Sequence, residues 1–151
     1  MIASTIVELL ETGVSVVVGT RDASLMPECT RAWGLRVGKD RASVTIYLTE
    51  AISQQTLRNL RTNGQVAISC TRPTDHVACQ LKGRVRTIRP VTKRDTQQSR
   101  AWHREFIGEL VAIGVPPSLP EAWITEPALA VDIDVTDVFH QTPGPGTGEK
   151  L

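Results

Sequence analysis

The stretch Val66–Ile88, VAISCTRPTDHVACQLKGRVRTI, holds two alternating runs joined by the turn signal Arg72-Pro73-Thr74-Asp75. In the second run one face is mainly apolar and comprises Val77, Cys79, Leu81, Gly83 and Val85. The other face is rich in hydrogen-bond donors and comprises Ala78, Gln80, Lys82, Arg84 and Arg86. This period of two residues predicts an antiparallel hairpin. Its donor-rich face is either a binding surface for an electron-rich ligand or an ordinary solvated exterior.

The length and composition indicate one globular domain. The chain has 151 residues, of which 40% are hydrophobic and 22% are charged, which is enough for a real core. Its formal net charge of +1 provides no overall attraction for nucleic acid or an anionic membrane. Cys29, Cys70 and Cys79 have no CxxC spacing, which argues against a disulfide framework. We therefore expect a soluble, cytoplasmic protein without nucleic-acid or membrane partners.

Alternating or β-branched runs recur along most of the chain. Besides the central hairpin they are Val14–Thr20, Cys29–Val37, Ser43–Thr49 and Leu129–Thr136. Turn-forming residues separate the early runs, which favours an antiparallel meander. Helical patterns occur between the strands, so the chain is expected to form a small barrel of the α+β class.

Two of the helical patterns have recognisable beginnings. Thr49 is expected to cap a helix over residues 50–62, and Asn63-Gly64 is expected to end it. Thr92 and Asp95 form a capping-box pattern in front of the longest helix. An irregular connection is predicted at Pro116, Pro117 and Pro120.

The end of the chain has a different composition from the rest. Residues 142–151 are rich in glycine and proline, so we expect a flexible tail after a domain that spans residues 1–141. The tail contains GPGTGEK, which lacks the Lys-Ser/Thr ending of a phosphate loop.

Isolated polar and aromatic residues allow more than one interpretation. Arg58 could clamp a phosphate with Arg31 or Arg36, or it could lie on a solvated helix face. His103 lies on a polar helix face, where a solvated side chain is expected. Core packing is favoured over ligand or partner contact for Trp33 and Trp123. Spacing identifies no general acid or base, and no metal site is predicted for Cys70, His76 and Cys79.

Several short segments of the sequence then occur in the order in which a known family has them. They are SVTIYLT at 43–49, LRNLRTNGQVAIS at 57–69, QLKGRVRTI at 80–88 and AVDIDVTDVFHQTPGPG at 130–146. In these segments the chain resembles the FMN-binding split-barrel superfamily, the group of short flavoproteins similar to pyridoxamine 5′-phosphate oxidase. The resemblance runs from Ile2 to Gln141. Gln65 stands where the family's helix-to-strand junction usually has proline.

The resemblance implies a mainly antiparallel, six- to seven-stranded split β-barrel with flanking helices. It also implies a homodimer with two FMN sites at the subunit interface and oxidoreductase chemistry on an unidentified small substrate. The FMN phosphate is then expected near Thr49, Gln54, Gln55 and Arg58, with Arg31 and Arg36 on the neighbouring strand. The flavin ring is expected along Ser69, Thr71, Gln80 and Lys82, where Gln80 or Lys82 would supply a donor to the reduced ring.

Two departures from the family pattern keep other functions open. Thr56 stands where many relatives carry a phosphate-binding lysine, so Arg58 or Arg31 would have to compensate. The C-terminal segment that the vitamin-processing oxidase uses on its substrate is missing, so oxidation of pyridoxamine phosphate is not expected. The alternatives are a non-catalytic dimer that binds a flavin, a deazaflavin or haem, and a dimeric scaffold whose cofactor site has decayed.

Overall fold

The computed structural model describes residues 1–123 and 125–151, and its strands follow the alternating runs of the sequence. The described strands are β1 (Ser15–Arg21), β2 (Pro27–Ala32), β3 (Leu35–Val37), β4 (Ser43–Leu48), β5 (Gln65–Thr71), β6 (Ala78–Pro90) and β7 (Leu129–His140). The described α-helices are α1 (Ser4–Leu10), α2 (Gln54–Asn63), α3 (Lys93–Ala112) and α4 (Ser118–Trp123), with a 3-10 helix, Glu50–Ile52, before α2. No helix in these two ranges is long and apolar enough to cross a membrane.

The described strands form one antiparallel sheet in the order β2-β1-β5-β6-β7-β4-β3. Its two edge strands follow each other in the chain and meet at Trp33 and Gly34. There the Trp33 N–H donates to the Tyr47 carbonyl at 2.8 Å, and the Tyr47 N–H donates to the Gly34 carbonyl at 3.3 Å. These bonds attach the corner between β2 and β3 to β4, which curls the sheet into a half-open barrel. The predicted α+β, antiparallel split barrel is confirmed.

One predicted strand is in fact two. The run Cys29–Val37 alternates throughout, but the backbone turns at Gly34, whose φ is 125°. Glycine adopts this conformation without a steric penalty, and the turn sends β3 back along β4. Pro27 begins β2, an edge strand in which the missing N–H of proline is tolerated.

The central hairpin has the predicted pairing. Ile68 lies opposite Leu81, and Cys70 lies opposite Cys79. All four side chains are at most 1% exposed, and both thiols are free. They pack against the buried aliphatic side chains of β1, β4 and β7. Burying each large aliphatic side chain contributes about 1.5–3 kcal/mol, so this layer is the main source of stability.

Helix α2 fills one end of the barrel but begins later than predicted. The 3-10 helix separates it from Thr49, and in the described residues Thr49 makes no side-chain capping bond. Instead Thr49 Oγ1 lies 3.0 Å from Thr125 Oγ1. Leu57 and Leu60 are buried in the core, and the helix ends at Gly64 as predicted.

Helix α3 begins at the predicted capping box. The Asp95 N–H donates to Thr92 Oγ1 at 3.2 Å, and the Thr92 N–H donates to the Asp95 carboxylate at 2.9 Å. Farther along, the Trp102 indole N–H donates to the Val14 carbonyl at 2.9 Å. Trp102 also stacks on Phe106, with ring centroids 4.9 Å apart. These contacts fix α3 against the start of β1.

The prediction of a solvated His103 is wrong. Its side chain is 6% exposed, and its ring centroid lies 5.8 Å from that of Trp33 and 5.3 Å from that of Trp102. Burial lowers the pKa of the imidazole because it disfavours the charged form. Trp33 is buried in the core as favoured, whereas Trp123 is 55% exposed.

The two proline-rich segments contain more structure than predicted. Helix α4 occupies the connection that was expected to be irregular, with Pro120 in its first turn, where proline is tolerated. The tail, residues 142–151, folds back along β7. The Gly148 N–H donates to the His140 carbonyl at 2.7 Å, and the Leu151 N–H donates to the Val138 carbonyl at 2.8 Å. These contacts do not measure how much the tail moves, so its flexibility stays a prediction.

Candidate functional site

The outer face of the sheet carries two rows of side chains, each crossing five neighbouring strands. The strand register defines the first row as Arg31, Val17, Ser69, Gln80 and Phe139. Two positions along the strands it defines the second row as Cys29, Gly19, Ala67, Lys82 and Asp137. Side chains directly opposite each other on paired strands have Cβ atoms about 4.5–5.5 Å apart. Each row is therefore a continuous strip across the sheet.

The first row presents hydrogen-bond donors. Gln80 Nε2 donates to Ser69 Oγ at 3.2 Å, which leaves the second N–H of the amide available. Arg31 Nη1 donates to Ser15 Oγ at 3.2 Å, and its guanidinium carbon lies 5.6 Å from the centroid of the Phe106 ring. In the part of the chain that the structure describes, Arg31 makes no ion pair. The row can therefore bind an electron-rich edge of a ligand.

The second row is flat at its centre because Gly19 and Ala67 lie side by side. A Cβ added at Gly19 would approach the Ala67 carbonyl oxygen at 3.8 Å, an ordinary contact. At Gly83, by contrast, an added Cβ would lie 2.3 Å from the Asp134 carbonyl oxygen. Packing therefore requires glycine at Gly83 but not at Gly19. The open space above Gly19 is available to a planar ligand.

Lys82 stands at the edge of this flat area. Its side chain is exposed, and its Nζ lies 4.8 Å from the centroid of the Phe139 ring. Such a contact holds an ammonium group in place without neutralising it. Thr71 lies farther along β5, opposite Ser15 and Ala78.

A cavity of about 440 Å³ opens beside the second row. Its volume is within the range of pockets that hold small molecules, about 300–1,000 Å³. Its lining includes Gly19, Ala67 and Lys82 from the second row and Arg21, Gln65 and Arg84 from the next positions on the same strands. The cavity thus combines the flat floor with basic side chains.

The structure divides the ten predicted site residues into two groups. The outer face brings together Arg31, Ser69, Thr71, Gln80 and Lys82. Elsewhere in the same chain lie Arg36, Thr49, Gln54, Gln55 and Arg58. The contribution of either group to cofactor binding stays a prediction.

The second group is separated because α2 packs against the inner side of the sheet. Asn59 Nδ2 in α2 donates to the buried Thr20 Oγ1 at 3.0 Å. On the exposed side of the helix, Arg58 Nη2 donates to Gln55 Oε1 at 2.6 Å. Arg36 lies on β3, where its Nη2 donates to Thr45 Oγ1 at 3.2 Å. One chain alone therefore does not join these side chains to the first row.

Thr56, at the position where the resemblance predicts a phosphate-binding lysine, is 0% exposed. Its hydroxyl has no hydrogen-bond partner among the residues that the structure describes. A side chain buried at this position cannot reach a phosphate at the surface of α2. Any anion anchor on this helix must come from exposed residues such as Arg58.

Sequence reasoning missed Arg21, Gln65 and Arg84 as members of the site. Arg84 was already on the donor-rich face of the hairpin, but nothing distinguished it from a solvated arginine. Gln65 lies opposite Arg84, and Arg21 Nη2 donates to Gln65 Oε1 at 2.8 Å. The pairing of β1 with β5 was the missing information, since these strands are far apart in sequence.

A separate group of charges lies where β6 and β7 meet the start of α3. Arg89 Nη1 is 2.6 Å from Asp95 Oδ2, and Arg89 Nε is 3.0 Å from Asp132 Oδ2. Burial alone would raise the pKa of Asp95, but hydrogen bonds from Arg89 and Thr92 hold it well below its usual range. Every charge in this group is paired, so we assign it a structural role.

Comparisons with known proteins identify the fold. No family model and no curated protein matches the sequence. Among solved structures, an F420 reductase is similar at 17% identity, a TM-score of 0.54 and coverage of 87% of this chain and 93% of the other. An FMN-binding protein from Syntrophomonas wolfei has 10% identity, a TM-score of 0.54 and coverage of 87% and 85%. HutZ, a haem storage protein from Vibrio cholerae, has 13% identity, a TM-score of 0.52 and coverage of 93% and 95%.

These similarities extend over most of each chain at low sequence identity. They show that the chain has the split-barrel fold of the flavin-binding proteins that its sequence resembles. The three proteins differ in the ligand that their names print, so the common fold does not select one cofactor.

Proposed function

We propose that this chain is a homodimeric flavoprotein, with the ring of FMN on its outer face, and that it acts as an oxidoreductase on a small substrate. The observation that supports this most directly is the donor row beside a flat floor. Ser69 and Gln80 provide polar groups next to the open area above Gly19 and Ala67. A planar heteroaromatic ring needs a surface without projecting side chains and donors along one edge.

The residues present fit such a ring. A bound flavin supplies hydride-transfer chemistry, and the protein positions the ring and tunes its electronics. We assign the free N–H of Gln80 and the ammonium group of Lys82 to the carbonyl edge of the ring. Donors and cations at that edge favour the negative charge that the ring acquires on reduction. Gly19 and Ala67 would support the ring face and exclude water beneath it.

The phosphate anchors require a second protomer in this proposal. Arg58, with Gln54, Gln55 and Thr49 nearby, lies on the opposite side of the sheet from the first row of its own chain. In this proposal a two-fold partner places its α2 against the outer face, next to Arg31. The site would then be complete only in the dimer.

The outer face also has the composition of a covered surface. Val17 and Ala67 are partly buried already in the single chain, and Phe139 lies in the same row as Val17, beyond Ser69 and Gln80. A second copy packed here would remove water from both rows, which strengthens hydrogen bonds and charge interactions with a bound ligand. The three free cysteines support our placement of this dimer in the cytoplasm, a reducing compartment.

A haem-binding dimer is the second candidate, because Cys29 lies in the second row. Its thiol is exposed and free, and a cysteine thiolate can bind haem iron. A deazaflavin would use the same flat floor as FMN. A dimer that binds any of these groups without turnover would be a carrier rather than an enzyme.

An absorption titration of the purified protein with FMN tests the proposal. We expect a shifted flavin band and quenched flavin fluorescence on binding. Gln80→Leu and Lys82→Ala should each weaken the Kd about tenfold, the effect of losing one hydrogen bond to a charged or polarised group. Arg86→Ala is the matched control, since Arg86 lies on the same strand but is paired with Asp134.

An unchanged spectrum of free FMN would refute the flavoprotein proposal. Addition of haem would then distinguish the second candidate, because ligation by Cys29 produces a shifted Soret band that Cys29→Ser should abolish. If FMN binds but no electron donor supports turnover, the protein is the non-catalytic dimer.

A further inference from the structure

Three basic side chains line the cavity beside the second row. They are Arg21, Lys82 and Arg84. Arg21 is fixed by its bonds to Gln65 and to the Asp22 carbonyl oxygen at 3.1 Å. Neither Lys82 nor Arg84 makes a side-chain hydrogen bond or an ion pair within the two described ranges. The cluster therefore has positive charge that the fold leaves uncompensated.

The register places these cations close together. Arg84 lies opposite Gln65, which binds Arg21, and Lys82 lies opposite Ala67 on the same two strands. Positions two apart on a strand are separated by about 7 Å, and directly paired side chains are nearer. Like charges at these distances repel one another until an anion lies between them. A group with two or more linked negative charges matches this spacing better than a single carboxylate.

The only acidic side chain among the described lining residues, Asp137, is neutralised by the tail. Lys150 Nζ lies 2.5 Å from Asp137 Oδ1, and Thr136 Oγ1 donates to Asp137 Oδ2 at 2.8 Å. The contact with Lys150 lowers the pKa of Asp137, so the carboxylate is ionised and engaged at neutral pH. Lys150 is held there because it bridges to Phe139 in β7. The tail thus keeps the cavity positive.

We propose that the end of this cavity at Arg21, Gln65 and Arg84, one step along the strands from the flat floor, is a binding site for a small molecule that carries a diphosphate or similar polyanionic group, and that Lys150 in the tail maintains its affinity by occupying Asp137. This inference goes beyond the flavoprotein proposal and does not depend on it. Gly19, Ala67 and Lys82 border both sites, but the anion is assigned to Arg21 and Arg84, which lie outside the two rows and belong to one chain.

Calorimetric titration with inorganic pyrophosphate at constant ionic strength tests the site. The wild type should bind with one site per chain. Arg84→Ala should weaken the Kd about tenfold, as expected for the loss of a charge-assisted hydrogen bond to phosphate. Arg86→Ala, two residues along the same strand and outside the cavity lining, should leave the Kd unchanged.

The role of the tail has its own test. Lys150→Ala frees the Asp137 carboxylate to repel the anion, so pyrophosphate should bind about three- to tenfold more weakly. Adding Asp137→Asn to Lys150→Ala should restore binding to within twofold of the wild type. Restoration would separate electrostatic relief from damage to the tail, because a misfolded tail would not be repaired by a substitution in β7.

Three outcomes would overturn the inference: no pyrophosphate binding, equal weakening by Arg84→Ala and Arg86→Ala, or competition between pyrophosphate and FMN for one site. Retained FMN affinity in Arg84→Ala, with lost pyrophosphate affinity, is the expected result. Pyrophosphate binding in a protein that ignores FMN would refute the flavoprotein proposal alone.

Discussion

The charges at the start of α3 and the charges on the outer face differ in how completely the chain itself pairs them. Arg89 contacts both Asp95 and Asp132, and Asp95 also accepts hydrogen bonds from Thr92. Lys82, by contrast, makes no ion pair in the described ranges; it lies against the face of the Phe139 ring and opposite Asp137, which Lys150 occupies. Paired charges of the first kind hold elements together, whereas unpaired donors and cations remain available to a ligand. Substitutions at the start of α3 should therefore lower stability, whereas substitutions on the outer face should lower ligand affinity and leave stability nearly unchanged.

Asp95→Ala should have the largest effect, on stability. Asp95 is 2% exposed, and the substitution removes both the capping box and one partner of Arg89. We expect the free energy of unfolding to fall by about 3 kcal/mol, combining a lost cap with a broken buried ion pair. Urea denaturation monitored by circular dichroism measures it. Lys82→Ala in the same assay should change stability by less than about 0.5 kcal/mol, and an equal loss in both variants would contradict the distinction.

The pairing at α3 also shows what sequence can predict. Thr92 and Asp95 are three residues apart, so the capping box was evident from local chemistry. The central hairpin was evident for the same reason, because its turn and both alternating runs are contiguous. The break at Gly34 was not evident, since the alternation continues through it and only the contact with β4 explains the turn. His103 was mispredicted because its neighbour Trp33 comes from the corner between β2 and β3, far away in the sequence.

Two glycines provide the next comparison. A Cβ at Gly13 would lie 2.3 Å from the backbone of Glu105 and Phe106 in α3, whereas one at Gly19 would meet only ordinary contacts. Gly13→Ala should therefore lower the free energy of unfolding by about 2 kcal/mol through overpacking. Gly19→Ala should leave stability unchanged or slightly higher while it weakens FMN binding. Thermal unfolding and the FMN titration measure the two effects, and loss of stability in Gly19→Ala would indicate a structural role instead.

Acid should unfold the protein partly through Asp95. Its pKa in the folded chain is held below the value of about 3.9 expected in the unfolded chain. A depressed pKa contributes stability above the unfolded value, and that contribution disappears as the pH falls below about 4. We expect wild-type stability to decline between pH 5 and pH 2 by about 1–2 kcal/mol more than that of Asp95→Asn. Parallel curves for the two proteins would show that other carboxylates dominate.

The functional site was predicted in part for a similar reason. Ser69 and Gln80 belong to one hairpin, so the sequence placed them together. Arg31 joins them only through the pairing of β2 with β1 and of β1 with β5, which no local pattern encodes. The arginines of the cavity were missed for this reason too. Thr56 shows that a sequence motif can also point to a residue that cannot bind. The motif places Thr56 at a phosphate-binding position, but its side chain is buried in this chain.

Phe139→Leu should have the smallest effect and tests whether the outer face positions its cation. The ring centroid lies 4.8 Å from Lys82 Nζ, and leucine keeps an apolar side chain without the ring's electrostatic attraction. An exposed cation–π contact contributes about 0.5–1 kcal/mol, so the Kd for FMN should rise about two- to fivefold with stability nearly unchanged. In a Lys82→Ala background the same substitution should have no further effect on the Kd, because the ammonium group that it positions is absent. Independent effects of the two substitutions would mean that Phe139 contacts the cofactor directly rather than through Lys82.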